Sequence, residues 1–285
     1  QYINLIKRIL KEGDNIESRN GKVKTIFGWN MEFSLKNNKV PILTTKKVAY
    51  KTCIKELLWF ISGKTDNKLL KEKNVHIWDA NGSREFLDSR NLTNREEDDL
   101  GPVYGHQWRH FNAPYETCND DYTNKGIDQI EYIISSLKHP EKKYSRRLIM
   151  SSWNPCQLDE MALPPCHILA QFHVSSKDEL SCALYQRSGD VGLGVPFNIA
   201  SYSVLTHLIA HYTGLKPDKF VYFLGNAHIY EEHEESLMEQ LLRKPKKFPK
   251  LYLKQKREDI NDYNINDFVL ENYNYYSKIN MDMKE

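Results

Sequence analysis

The fold class this sequence predicts is α/β, in the α+β sense, and three observations point to it. Apolar alternation at residues 26–35, 168–174 and 180–185, with an apolar run at 219–227, reads as strands. Stretches with apolar residues three and four apart, at 2–13, 47–63, 127–137 and 196–214, read as helices set among those strands. No internal repeat and no Pro/Gly-rich linker divides the chain, so a single domain over 1–285 is expected. A length of 285 residues with 40% apolar residues and five tryptophans supplies an ample core. A net charge of +2 excludes a bulk drive toward nucleic acid while leaving room for a local basic pocket. Five cysteines, an odd number without CxxC spacing, argue against a disulfide framework and for a reducing, cytoplasmic setting. There is no run of 18 apolar residues and no signal-like start, so no membrane span or secretion is expected. The chain opens on Gln1 rather than methionine, which leaves room for a preceding segment.

Taken in order, 2–13 carries Ile3, Ile6, Ile9 and Leu10 on one helical stripe, with Gly13 as a stop. Residues 15–24 are polar and contain glycine, which predicts a loop; it holds Arg19, a residue type usually solvated. In 26–35, Phe27, Trp29, Met31, Phe33 and Leu35 fall on one strand face, which has to be covered. The 47–63 helix has Ile54, Leu57, Leu58 and Ile61 at core spacing and Gly63 as its C-terminal stop. Glu56 lies beside that stripe, either as a rim carboxylate in a surface pair or as a desolvated acid suited to proton transfer. A short helix at 67–73 precedes IWDANGS, where Trp78 and Asn81 are ring-stacking and polar candidates. Residues 90–99 read as a charged loop. GPVYGHQWRHF follows, with Tyr104 a candidate hydrogen-bond donor, and then a polar, exposed insertion at 115–126. At 145–153 a basic pair, Arg146 and Arg147, leads a strand, in which neighbours point to opposite faces. Helix 196–214 starts at Pro196 and buries Ala200, Val204, Leu205, Leu208 and Ile209. Its His207 and His211 are four apart, but HLIAH lacks the glutamate of a zinc helix and no third ligand is evident, so no metal is expected. The strand at 219–227 ends in His228 and Tyr230, and a glutamate-rich helix runs from there to Arg243. Residues 244–257 alternate lysines with Phe248, Leu251 and Leu253, a strand with a solvated cationic face.

The chemistry concentrates in 163–198. Pro164 and Pro165 fix a stiff lead-in to Cys166. A lone cysteine at a strand edge is more often a small buried hydrophobe than a nucleophile. Here the second strand is followed by Arg187 and Ser188, donors suited to a phosphate. Gly189, Gly192 and Gly194 then permit a tight loop between 186 and 196. A free thiol with a pKa near about 8.5 is only a few per cent thiolate at neutral pH. An adjacent guanidinium favours the charged form, so Arg187 can both activate Cys166 and hold an anion. No GxGxxG follows a strand, so no NAD(P) site is expected.

PPCH, QRSGDVGLGVPFN, GPVYGHQWRHF, IWDANGS and KELLWFISG resemble, in the same order, the thymidylate synthase family, folate-dependent enzymes that methylate dUMP. The resemblance runs from Tyr2 to Met283. It implies a three-layer architecture: a large mixed sheet, antiparallel at its edges, packed on helices, with one sheet face forming a homodimer interface. It implies that the Cys166 thiolate adds to carbon 6 of dUMP. Arg187, Arg19 and Ser188 would cage the phosphate with Arg146 and Arg147 of the second copy. His167, Gln186 and Asp190 join the nucleotide pocket, and His228 and Tyr230 hold the ribose hydroxyl. Asn198 would pair with the uracil edge; hydroxymethylases acting on dCMP, the nearest alternative, carry aspartate there. Glu56 would move protons through ordered water, and Tyr230 or a water near Tyr104 would take the carbon 5 proton. 5,10-Methylenetetrahydrofolate would be both carbon donor and reductant, against a wall of Ile77, Trp78, Asn81, Asp190, Leu193, Gly194 and Phe197. Lys46 would meet its glutamate tail. The family's C-terminus closes over the folate. Here Met283 is followed by Lys284 and Glu285, and the retained INMDM leads us to expect that closure persists. RNA binding through the lysine-rich strand is the minority alternative, and the chain leaves room for a fused or associated dihydrofolate reductase.

Overall fold

The computed structural model describes residues 1–18 and 20–283. Its elements in chain order begin with α1 (Tyr2–Glu12), β1 (Asp14–Ser18), β2 (Gly21–Ser34), α2 (Tyr50–Ile61), α3 (Lys68–Lys71), α4 (Arg84–Ser89), α5 (Tyr104–His110) and α6 (Gln129–Lys138). They continue with β3 (Ile149–Ser151), β4 (His167–Val174), β5 (Glu179–Asp190), α7 (Gly194–Thr213), β6 (Lys216–Tyr230), α8 (Glu234–Leu241), β7 (Lys250–Leu253) and β8 (Phe268–Glu271).

The main sheet has six strands in the order β1-β2-β6-β5-β4-β3. All neighbours are antiparallel except β5 and β6. Two parallel neighbours joined in sequence need a crossover, and α7 provides it. That helix is apolar on nearly every side, and it is buried accordingly among β5, β6, α2 and α6. α1 packs on β2 and β6, and α2 packs on α5 and α7. β7 and β8 form a separate two-stranded antiparallel ribbon. The mixed sheet packed on helices is therefore the architecture expected.

The sheet's two faces differ. Ala170, Phe172, Leu184, Tyr222 and Leu224 point into the helical layer and are buried. Their strand neighbours Leu169, Tyr185 and Phe223 alternate to the opposite face and remain 36%, 40% and 42% exposed. Phe27 joins them at 83%. The expectation of one covered apolar stripe on 26–35 thus holds for Met31, Phe33 and Leu35 and fails for Phe27. Gly28, at φ +84°, lies between the pairs Phe27↔Asn226 and Trp29↔Leu224 and bends the strand away from the core there.

Other expectations are corrected. Within the stretch read as a loop, β1 (Asp14–Ser18) pairs antiparallel with the start of β2 from Gly21 to Thr25. β1 is exposed on both faces, so it carries no apolar alternation to read. β5 does not stop at Tyr185 but continues to Asp190, because its main chain stays paired with β6 as far as His228. The predicted tight loop at 186–196 is therefore half strand. Arg146 and Arg147 lie in the turn before β3, outside any strand. In 244–257 only β7 is a strand, and its partner β8 lies beyond that stretch, where no strand was expected.

Candidate active site

Cys166 lies just ahead of β4, and the β4–β5 register sets His167 beside Gln186. That register places Arg187 next to the thiol: the Arg187 N–H donates to the Cys166 carbonyl at 2.8 Å. The Arg187 guanidinium donates to the carbonyls of Pro165 (2.7 Å) and Pro164 (3.1 Å), and its Nη2 lies 3.8 Å from Cys166 Sγ. The Trp153 ring flanks it at 5.7 Å. The two prolines keep this segment out of a helix, so their carbonyls are not taken by helical N–H donors and can accept from the guanidinium. Burial pushes the Cys166 thiol up, and the Arg187 charge opposes it. In this state burial wins, so the expected activation by Arg187 is present but outweighed.

Behind the thiol stands an aromatic wall. The Cys166 N–H donates to Tyr104 Oη at 2.8 Å, so Tyr104 accepts from the main chain rather than donating to the sulfur. Tyr104 stacks on His167 at 3.9 Å, and His167 Nδ1 meets Tyr202 Oη at 2.6 Å. Burial lowers the His167 pKa to about 3, so the ring is neutral at physiological pH. Trp78 packs edge-on to Tyr104 and donates its indole N–H to Glu56 Oε1 at 2.7 Å. Burial raises Glu56 to about 7, against the Trp78 bond that lowers it. The desolvated alternative for Glu56 is therefore the one realised, and its carboxyl can give or take a proton near neutrality.

A hydrogen-bond chain orients Asn198. The Ser188 carbonyl can only accept, so the Gln186 group 2.9 Å from it is Nε2. The same Nε2 lies 3.1 Å from Asn198, whose facing atom is therefore Oδ1. Tyr222 Oη donates to Gln186 Oε1 at 2.7 Å and completes the lock. Tyr222, Tyr202 and Trp153 were not singled out in the sequence. The available signal for Tyr222 was Gln186 itself, a polar residue at a core-facing strand position, which demands a partner.

Ser18, Asn20, Ser188, Asn226, His228 and Tyr230 line a cavity of about 230 Å³. His228 Nδ1 lies 3.0 Å from Asn226 Oδ1, an acceptor, so Nδ1 carries the hydrogen and Nε2 is left to accept. Arg19, placed in this loop by sequence, lies outside the described residues. A cavity of about 630 Å³ beside β7 is lined by Lys246, Lys247, Phe248 and Lys250 and contains none of the nucleophile or proton-carrying groups.

Asp190, Gly194 and Asn198 meet at the start of α7, where a Cβ on Gly194 would stand 3.9 Å from the Asp190 Cβ and 3.8 Å from Asn198 Oδ1. Asp190 Oδ1 accepts the Gly192 N–H at 2.8 Å. Lys46 is buried and turned inward, donating to the Gly192 carbonyl. Burial lowers its pKa to about 8, against the Asp190 charge. Ile77, Asn81, Leu193 and Phe197 are half-buried, with Ile77 and Asn81 flanking Trp78 in the chain. Met283 is exposed, and Lys284 and Glu285 lie outside the described residues.

Arg146 and Arg147 are exposed and are not part of this cluster. Ile149 pairs with Gln171, so Arg147 sits opposite the far end of β4, seven residues from Cys166. At ~3.3 Å per residue that is roughly 20 Å, too far for the pair to reach the same chain's thiol. His207 and His211 bond the carbonyls of Lys39 and Gln255, and among the described residues no group of acids, histidines or cysteines is placed to hold a metal ion.

Comparison with known proteins agrees with this geometry. The thymidylate synthase family model matches residues 1–285. The probable thymidylate synthase of Schizosaccharomyces pombe is 52% identical over 99% of this chain and 47% of its own length. The thymidylate synthase of Saccharomyces cerevisiae is 50% identical over 99% of this chain and 96% of its own length. The bifunctional dihydrofolate reductase-thymidylate synthase of Leishmania amazonensis is 52% identical over 99% and 54%. The chain thus spans about half the length of some curated relatives and nearly all of another.

Proposed function

The chain belongs to the thymidylate synthase family, and from that premise we propose that it converts dUMP and 5,10-methylenetetrahydrofolate to dTMP and dihydrofolate. The observation that carries this is the single wall that joins a thiol 3.8 Å from a guanidinium, through Tyr104 and Trp78, to a carboxyl poised near pH 7. The pyrimidine is unreactive at carbon 5 until a nucleophile saturates the 5,6 bond, and Cys166 Sγ is the group in place to do so. The thiolate that Arg187 favours against burial, its proton passed to water, is the attacking form, and a nucleotide whose phosphate settles nearby holds carbon 6 over the sulfur in one bound geometry. Glu56 relays protons at the pyrimidine carbonyl. Tyr104 holds the Cys166 main chain and so fixes the direction of attack.

Asn198 favours uracil. With Oδ1 turned to Gln186, its Nδ2–H is available to the uracil carbonyl, while Oδ1 keeps a lone pair for the ring N–H. Cytosine offers an amino donor in place of that carbonyl and leaves the amide hydrogen unmatched, at a cost of about 1–3 kcal/mol. The folate wall fits its ligand on two counts. Half-buried Ile77, Leu193 and Phe197 offer an apolar face, and Asp190 offers a carboxylate to the amino edge of a pterin. The folate supplies the one-carbon unit and the hydride.

We further propose that the enzyme is a homodimer with shared sites. The exposed Phe27, Leu169, Tyr185 and Phe223 on one sheet face support this, as does the distance of Arg146 and Arg147 from their own chain's thiol. Free Cys53, Cys118, Cys156, Cys166 and Cys182 support a cytoplasmic setting. The bifunctional relative supports a fused or associated dihydrofolate reductase. Single-domain organisation over 1–285 is part of the same proposal. The deciding experiment is incubation with 5,10-methylenetetrahydrofolate and either dUMP or dCMP, following dihydrofolate absorbance and product mass. dTMP with stoichiometric dihydrofolate from dUMP alone is expected; a hydroxymethylated dCMP without dihydrofolate would assign the chain to the alternative activity.

A further inference from the structure

His233, in the turn between β6 and α8, is 1% exposed on its side chain. Its Nε2 lies 2.8 Å from the Asp282 carbonyl. A carbonyl only accepts, so Nε2 carries a hydrogen, and a neutral ring then leaves Nδ1 bare. That Nδ1 is buried without a hydrogen-bond partner and faces Asp190 Oδ1 at 3.7 Å. A bare lone pair against a carboxylate is repulsive, whereas an N–H⁺ there is attracted. One protonated ring therefore satisfies the tail carbonyl and the carboxylate together. The same stretch of chain holds the tail twice more. Ser236 Oγ donates to the Asn280 carbonyl at 3.2 Å, and Arg243 Nη1 to that of Ser277 at 2.7 Å.

We infer that His233 is a positioning residue for the folate subsite, latching the 277–283 segment to Asp190 so that docking of that segment takes up a proton on the ring. The inference rests on the assignment of Asp190 to the folate wall. The charged and titratable groups facing the ring are Asp190 on β5, Lys46 ahead of α2, and His228 and Tyr230 on β6. Burial lowers the His233 pKa. The Asp190 carboxylate across 3.7 Å and the Asp282 carbonyl outweigh that, Lys46 opposes them, and the net direction is upward. The sign follows: docking is fully favoured below the ordinary imidazole value of about 6.5 and weakens as pH rises through the raised value, at most about tenfold per pH unit.

Linkage is reciprocal, so removing the tail has to lower the His233 pKa. The test titrates the His233 ring by NMR without nucleotide or folate, in the full chain and in a chain stopped after Asn280, with His233→Gln used to assign the signal. A downward shift on truncation is expected, each unit corresponding to tenfold in docking; equal titration in both chains overturns the latch. His233→Gln keeps a donor for the carbonyl without the charge. With dUMP saturating, it should raise the folate KM several-fold, leave the dUMP KM unchanged and flatten the pH dependence of the folate KM. An unchanged folate KM and pH profile would also overturn the proposal. Because the titration uses no substrate, a full chain that makes no dihydrofolate would overturn the assigned reaction while the ring's titration still decides the latch.

Discussion

Cys166 is held between two opposing effects, and its reactivity measures their balance. Burial raises the thiol and Arg187 lowers it across 3.8 Å. An opposite charge at such a distance favours the ionised form of a titrating group. Arg187→Ala should therefore slow alkylation of Cys166 by iodoacetamide at pH 7 by at least about tenfold. Equal rates would show that the guanidinium serves only the anion. Glu56 titrates in the opposite sense to a surface acid. Its folded value is about 7 against an ordinary 4.5, so the folded chain binds the extra proton and stability falls as pH rises from 4.5 to 7. Glu56→Gln removes that term. It should be more stable than the parent above pH 7 by roughly 3 kcal/mol in urea titrations and equal to it near pH 4. Turnover should drop by about 10²–10⁴-fold, as general acid–base groups do. These residues were legible only in part: Cys166 as a nucleophile through the motif resemblance and not from its diproline lead alone, and Glu56 as one of two alternatives beside an apolar stripe. Whether Glu56 was desolvated was not legible, because that depends on Trp78, twenty-two residues on, closing over it.

Elements were legible where side-chain pattern carried them and hidden where main-chain pairing did. α7 and the core half of β2 announce themselves by period. β1 does not, because an exposed edge strand is held by its ladder and puts no apolar residues in a row; β8 carries Phe268, Val269 and Leu270, a run too short to stand out from the polar residues around it. β5 outran its apolar run for the same reason, and that extension is what carries Arg187, Ser188 and Asp190 along the sheet to the site. Gly28 shows a single backbone position setting an element's course. A Cβ there would meet nothing within 4 Å, so any cost of Gly28→Ala is conformational and comes from φ +84°. Roughly 1–2 kcal/mol of lost stability is expected from the urea midpoint. An unchanged midpoint would mean that the bend does not depend on the left-handed conformation.

At the scale of the whole molecule, the unfinished features are the open sheet face and the stranded arginine pair, and the proposed homodimer would account for both. Phe27→Glu should shift the sedimentation profile from two chains to one. Mixing Arg147→Ala with Cys166→Ala chains is sharper. If each site takes its thiol from one chain and its arginine from the other, random exchange restores about a quarter of the parental sites. No recovery of activity on mixing would refute shared sites. Among the described residues no helix is long and apolar enough to span a bilayer.

The central claim is that Cys166 bonds covalently to a nucleotide fixed beside Arg187, and intact mass spectrometry tests it most directly. With 5-fluoro-dUMP the carbon 5 proton that must leave is replaced by fluorine, so the adduct cannot proceed and accumulates. Incubation with this analogue and 5,10-methylenetetrahydrofolate should add the mass of both to the chain, on the peptide containing Cys166, and add nothing to Cys166→Ser. An unchanged parental mass, or an adduct carried by another cysteine, would contradict the account.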